Sequence, residues 1–464
     1  MLGVDSSTQS TKALLVDAAD GTVITSATTA HPAGTSVDPR AWLDAFDATG
    51  GPLLYQSRAV AVGGQQHGMV ALDAQGEPVY DALLWNDNRS AQEARDLIDE
   101  IGGLQACATA IGSVLVASFT STKLRWLRNH EPAVAERVHR VLLPHDYVSW
   151  HLTGGTEEPF TDRGDASGTG YFDASTNSWR HDLATAALGH PFEVPRVVGP
   201  GEVAATTANN LVIASGTGDN MAAALGLGLV PGDVVVSIGT SGVASAISTV
   251  PIADGTGAVT GFADATGNYL PLVATINSAR ILDLQARLLG VDYAELSRLA
   301  LAGAPGANGL TLLPYYDGER TPNRPDAVGT WHGLTTSTTR EDLARASVEA
   351  LLCSLADAID HLRAAMRAPV NRVLLIGGGA KNPAIRTLAP AIFGVSVDVP
   401  EDGEYVALGA ARQAAWALSG AASPPAWRPP AATTYDAEST PHVREAYALL
   451  RDRTAVWSST ERLT

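Results

Sequence analysis

A chain of 464 residues with 45% hydrophobic content is long enough for two or three domains, each with a sizeable core. Its net charge of −18 argues against nucleic acid or an anionic membrane as the main partner, because both are bound through basic surface. The start, MLGVDSSTQS, lacks the basic and apolar regions of a secretory signal, no apolar run is long enough to cross a bilayer, and Cys107 and Cys353 stand far apart without metal-ligand spacing. The expectation is a cytoplasmic protein with two buried thiols and neither disulfide nor structural zinc.

In chain order, GVDSSTQSTK from Gly3 reads as the tip of a β-hairpin: apolar Leu2 to Val4, small polar Ser6 to Thr11, then apolar residues again from Lys12 to Asp17. Asp20-Gly21 is a second turn signal before Val23-Ile24. Small residues at such a tip let backbone N–H and side-chain O–H groups converge on an anion, with Lys12 adding positive charge. An ordinary polar turn is the simpler account of that stretch alone. Short strands at Val60 to Val62, Val141 to Leu143 and Leu211 to Ile213 then alternate with helix-like segments such as Ala91 to Ile101. From Gly232 the chain repeats the hairpin idea in GDVVVSIGTSGVASAIS, with Gly239, Thr240, Ser241 and Gly242 at the tip. The two hairpins imply an internal duplication, with a phosphate chain held between their tips. A helix from Glu341 to Ala368, a strand at Val373 to Ile376, a helix from Leu408 to Leu418 and a Pro-rich loop from Ala421 to Pro430 before a terminal helix complete an α/β pattern. The natural join lies in Gly226 to Gly232 and divides the chain into domains 1–228 and 229–464.

The segments GVDSSTQSTK, GGQQHG from Gly63, WNDNR from Trp85, SFTSTKLRWLRNH from Ser118, LLPHDY from Leu142, TDRGDASGTG from Thr161, GTGDN from Gly216, SIGTSG from Ser237, LPYYDGERTPN from Leu313, GTWHGLTTSTTREDLARASVE from Gly329 and GGGAKN from Gly377 occur in an order that resembles the FGGY carbohydrate kinases over nearly the whole chain. The resemblance implies two actin-like (ribonuclease H-like) ATPase domains of the α/β class with a catalytic cleft between them. It implies sugar binding and the first phosphate hairpin in the N-terminal domain, and the second hairpin and adenosine binding in the C-terminal one. The activity it implies is ATP-dependent phosphorylation of D-xylulose to D-xylulose 5-phosphate. The alternatives are another ketose or polyol (ribulose, gluconate or glycerol) as acceptor, or an actin-like ATP-binding scaffold. A homodimer is compatible with the family.

Residue by residue, the resemblance makes Asp219 the general base, and local sequence equally makes it a cap for the helix that follows. Gln66, His67, Asp219 and Asn220 would bind the sugar. Ser7, Thr8, Lys12, Gly239, Thr240, Gly378, Gly379 and Lys381 would bind ATP. Asp5 and Asp219 would hold magnesium, since a carboxylate facing polyphosphate needs a cation between them; otherwise Asp5 caps its own turn through Ser7 or Thr8. Ser7 stands where the family carries glycine, so its backbone angles must be ordinary. The three glycines from Gly377 either let a flat ligand approach or make a tight turn that needs only one or two of them. Trp85, Asn86 and Asp87 would line or brace the pocket, although an aromatic after an apolar run is usually core. Gly318 to Pro322 would be a cleft or hinge segment, or else hold a buried ion pair.

Overall fold

The computed structural model describes residues 1–457. They fall into two units that interleave along the chain: Met1–Leu229 with Ser248–Leu270 and Gly403–Pro429 in one, and Val230–Ile247 with Pro271–Asp402 and residues 430–457 in the other.

The first unit is built on a sheet in the order Val203–Thr206, Val212–Ala214, Ala59–Gly64, Leu2–Ser6, Ser10–Val16, Val23–Ala30. Leu2–Ser6 runs parallel to Ala59–Gly64, which runs parallel to Val212–Ala214, whereas the hairpin strands and the Val203–Thr206 edge are antiparallel. The tip of the opening hairpin is narrower than its sequence implies, because Ser6 and Thr11 still pair across the strands. Period-two alternation sends Leu2 and Val4 to a core with Val60, Val62, Trp42 and Phe46. Gly3 faces the other way, toward the helix Tyr405–Ser419. A Cβ at Gly3 would lie 1.9 Å from Ala407 O. That helix is rich in alanine and packs Ala407, Ala410, Ala411 and Ala414 over Leu14, Ala59, Ala61 and Ala214. It also meets the helix Asp219–Leu227 through Gly226 and Gly409, where a Cβ would come within 2.1 Å of Tyr405 O and 1.8 Å of Ala222 O respectively. Small residues here set the backbone-to-backbone distance.

The second unit repeats the pattern in the order Ala432–Tyr435, Val397–Pro400, Arg372–Ile376, Asp233–Ile238, Gly242–Ala246, Tyr269–Thr275. Asp233–Ile238 is again parallel to its inner neighbour Arg372–Ile376, which is parallel to Val397–Pro400, and the remaining pairs are antiparallel. The duplication expected from the two hairpins therefore extends to six strands. The long helix Arg340–Met366 opens on a capping box, in which Thr339 accepts from Asp342 N and Asp342 accepts from Thr339 N. The helix Ala91–Ile101 has the expected bounds, and Cys107 and Cys353 are buried free thiols. Among the described residues no helix is long and apolar enough to cross a membrane.

Candidate active site

In the first unit the candidate residues sit where parallel strands end. Leu2–Ser6 delivers Asp5, which is 4% exposed, and the hairpin register sets Lys12 directly opposite it. Ser7 Oγ donates to Asp5 Oδ1, so the turn-capping role is real. Burial pushes the Asp5 carboxyl up to about 6, against the opposing hydrogen bond from Ser7 and the charge of Lys12. Ser7 is absent from the residues with positive φ, as its lack of glycine freedom requires. Trp85 Nε1 donates to Thr8 Oγ1 at 2.9 Å, and the indole is 42% exposed rather than packed in a core. Lys12 Nζ lies 2.6 Å from Glu404 Oε2, a partner 392 residues away that no local pattern reveals. Asp87 is a bracing residue, held by Arg89 at 2.8 Å and by Thr35 Oγ1 at 2.8 Å.

The strand Ala59–Gly64 ends at Gln65, Gln66 and His67. His67 is buried at φ 69°, and its Nδ1 donates to Gly168 O at 2.6 Å, which fixes the tautomer and leaves Nε2 the acceptor nitrogen of the neutral ring. The ring sits against Phe119 and Phe262. Gln66 Oε1 accepts from Asn220 Nδ2 at 3.0 Å, whereas Gln66 Nε2 and both amide atoms of Gln65 are buried without a protein hydrogen-bond partner. Such orphaned amides are costly and suit a polar ligand. Gln65 was legible only as part of its motif; nothing local separates it from Gln66.

Asp219 is the first residue of the helix Asp219–Leu227, which begins directly after Thr217–Gly218 pairs alongside Gly63 and Gly64. Its neighbour Gly218 is the cap residue, and Asp219 Oδ1 accepts from Asn220 N at 2.8 Å and Asn220 Nδ2 at 3.0 Å. Asp219 therefore does not cap the helix in the expected way. It is partly exposed. Burial, then the charges of Asp5 and Asp165, push its carboxyl up to about 7, the range a general base needs near neutral pH. The structure thus gathers Asp5, Ser7, Thr8, Lys12, Gln66, His67, Asp219 and Asn220 within one unit.

The other five candidates lie in the second unit. Gly239 and Thr240 form the turn between Asp233–Ile238 and Gly242–Ala246, with Gly239 N donating to Ser241 O at 3.1 Å. Gly377, at φ +86°, and Gly379 both press on Ile238; a Cβ would lie 2.9 Å from Ile238 O and 2.2 Å from Ile238 Cγ2. A Cβ at Gly378 would meet nothing within 4 Å. Two of the three glycines therefore serve the turn, and the third faces open space. Lys381 Nζ pairs with Asp402 at 2.8 Å, both exposed. Glu319 accepts from the backbone N–H groups of Ile276 and Asn277 and so anchors its loop through hydrogen bonds rather than an ion pair.

The family model described as "FGGY family of carbohydrate kinases, N-terminal domain" matches residues 1–227, and the corresponding C-terminal domain model matches 234–418. Over 435 residues the chain is 48% identical to a xylulose kinase of Streptomyces coelicolor, covering 90% of this chain and 88% of that relative. A xylulose kinase of Streptomyces rubiginosus is 46% identical over 440 residues, with the same shares of each chain. The crystal structure of xylulose kinase from Bifidobacterium adolescentis superposes with a TM-score of 0.92 at 47% identity, covering 97% of this chain and 99% of that one.

Proposed function

The chain belongs to the FGGY family of carbohydrate kinases and has that family's two-domain, actin-like fold, and from that premise we propose that it transfers the γ-phosphoryl group of ATP to O5 of D-xylulose. The observation that carries this reading is the convergence of Asp219, Asn220, Gln66 and His67 in one unit, with buried amide atoms left without partners. Relatives bearing the name xylulose kinase at 46–48% identity support the choice of sugar.

Phosphoryl transfer asks for alignment and charge neutralisation more than covalent chemistry. Asp219 takes the proton from the attacking hydroxyl. Asn220 and Gln66, bonded to each other at 3.0 Å, orient the neighbouring hydroxyls, and the acceptor nitrogen of His67 takes a further hydrogen bond. Thr8 and Lys12 contribute donors toward phosphate, and the Gly239–Thr240 tip and open Gly378 do so from the second unit. Asp5 and Asp219 are close enough for one charge to raise the other, an oxygen-only pair that suits magnesium. An ion held by these two carboxylates would take water and phosphate oxygens as its remaining ligands. Bound there, magnesium would neutralise phosphate charge.

The test is ADP release by the purified protein with magnesium and ATP, against D-xylulose, D-ribulose, L-ribulose, glycerol and gluconate. Selective turnover of D-xylulose is expected. Preference for another acceptor would keep the carbohydrate kinase and replace the sugar.

A further inference from the structure

The segment LLPHDY puts His145 on the helix Pro144–Leu152 with its side chain wholly buried, and three carboxylates surround the ring. Nδ1 lies 2.7 Å from Asp165 Oδ2, and Nε2 lies 3.2 Å from Asp146 Oδ1 and 4.0 Å from Asp162 Oδ1. None of the four side chains is more than 4% exposed. Only the Nδ1 contact with Asp165 is a hydrogen bond; Nε2 and Asp146 Oδ1 are buried without a hydrogen-bond partner, so on that side the ring faces the carboxylates by proximity alone. The carboxylates outweigh burial and push the ring up to about 9.

Burying such a cluster carries a large desolvation cost before the attraction is counted, and a well-packed apolar group would often do as well for stability alone. The surroundings of the ring suggest what it is for. A Cβ at Gly64 would lie 2.8 Å from His145 Cβ, and one at Gly216 would lie 2.6 Å from His145 Cδ2. Gly64 leads directly into Gln65, Gln66 and His67, and Gly216 leads into Thr217, Gly218 and Asp219. Thr217 Oγ1 donates to Asp162 Oδ2 at 2.7 Å, and Asp162 also accepts from Gly164 N and Asp165 N, so the loop before Asp219 is tied to the same cluster. Two segments that must meet one sugar hydroxyl are thus packed against the same residue, the one after Gly216 behind the ring and the one after Gly64 behind the Cβ and backbone of His145.

We propose that His145 is a positioning residue for phosphoryl transfer, its ring backing the base-bearing segment after Gly216 and its Cβ and backbone the sugar-contact segment after Gly64, so that the two keep a fixed register. The inference rests on the reading of Asp219 as general base. Misplacement of a reacting group by about 1 Å costs on the order of a hundredfold in rate.

The experiment measures kcat, both KM values and thermal unfolding for His145→Gln, His145→Lys, Thr217→Val and Asp219→Ala. His145→Gln is expected to lower kcat by about 10- to 100-fold per folded molecule while leaving the KM for ATP within about twofold. His145→Lys, which keeps a cation beside the carboxylates, recovers part of that loss. Thr217→Val cuts only the Asp162 link and lowers kcat by about fivefold, and combining it with His145→Gln costs less than the product of the two. Wild-type kcat per folded molecule in His145→Gln overturns the proposal. Should that variant not fold, wild-type kcat in Thr217→Val overturns it instead. An inactive Asp219→Ala beside fully active His145→Gln and Thr217→Val leaves the base assignment standing and removes only the positioning role; an active Asp219→Ala removes both.

Discussion

The two hairpins are built alike and equipped differently. Counting back from the last pair before each tip, Ser6↔Thr11 in the first unit and Ile238↔Gly242 in the second, the next position holds Asp5 opposite Lys12 in one and Ser237 opposite Val243 in the other. The parallel neighbour ends in Gln65, Gln66 and His67 in the first unit and in Gly377, Gly378 and Gly379 in the second. On the proposed reading one scaffold would serve two kinds of recognition: side chains that bond hydroxyls and manage charge, and bare backbone that a flat or anionic group can approach. Reactivity would then be concentrated in one copy of the doubled fold.

The largest expected effect tests that concentration. Asp219→Ala should lower kcat by about 10²–10⁴-fold with an unchanged melting temperature, because the change removes the proposed general base from a partly exposed position; turnover near the wild-type rate would break the asymmetry. The pH profile follows. The carboxyl of Asp219 is pushed up to about 7, and a general base must be deprotonated to act, so on the proposed reading kcat/KM for the sugar should fall about tenfold per pH unit on the acid side of that value. An acid limb near pH 4 would mean the burial and the Asp5 charge do not act on the working enzyme. The glycine turn gives a sharper contrast. Gly379→Ala drives a methyl into Ile238 and should destabilise by about 1–3 kcal/mol, whereas Gly378→Ala should change stability by no more than about 0.5 kcal/mol and raise the KM for ATP severalfold. A KM unchanged in Gly378→Ala would show that nucleotide does not lie on that backbone. Lys12→Met should also cost little stability: its pair with Glu404 is partly exposed and worth at most about 1 kcal/mol. A raised KM for ATP in that variant would identify phosphate, rather than Glu404, as the partner that matters.

Much of this was legible from local signals. The hairpins, the helix Ala91–Ile101 and the strand ending at Ile376 follow from turn residues and apolar periodicity, and the motif order indicated which carboxylates to watch. What was not legible depends on distance in the chain. Glu404 reaches Lys12 only because the helix Tyr405–Ser419 lies on the strand Leu2–Ser6, and its alanine-rich sequence does not say which sheet it covers. Asp165 meets His145 across 20 residues, so the cluster exists only in the fold. The edge strands Val203–Thr206 and Ala432–Tyr435 are short, exposed and weakly apolar, with no pattern strong enough to mark them. Trp85 followed the usual rule for aromatics in the sequence and broke it in the structure, because Thr8 offers its indole N–H a partner.

The covering helix of the first unit also sets an order of assembly. During synthesis the strands Leu2–Ser6, Ala59–Gly64 and Val212–Ala214 emerge early, yet the alanine face that seals them comes from Tyr405–Ser419. Until residues 405–419 are made, one side of that sheet has no permanent lid, and Gly3 waits for a backbone contact supplied by Ala407, 404 residues further on. A nascent chain arrested before Gly403 should therefore be protease-sensitive and prone to aggregate, and recruit chaperones, as an early-made sheet with an exposed apolar face does.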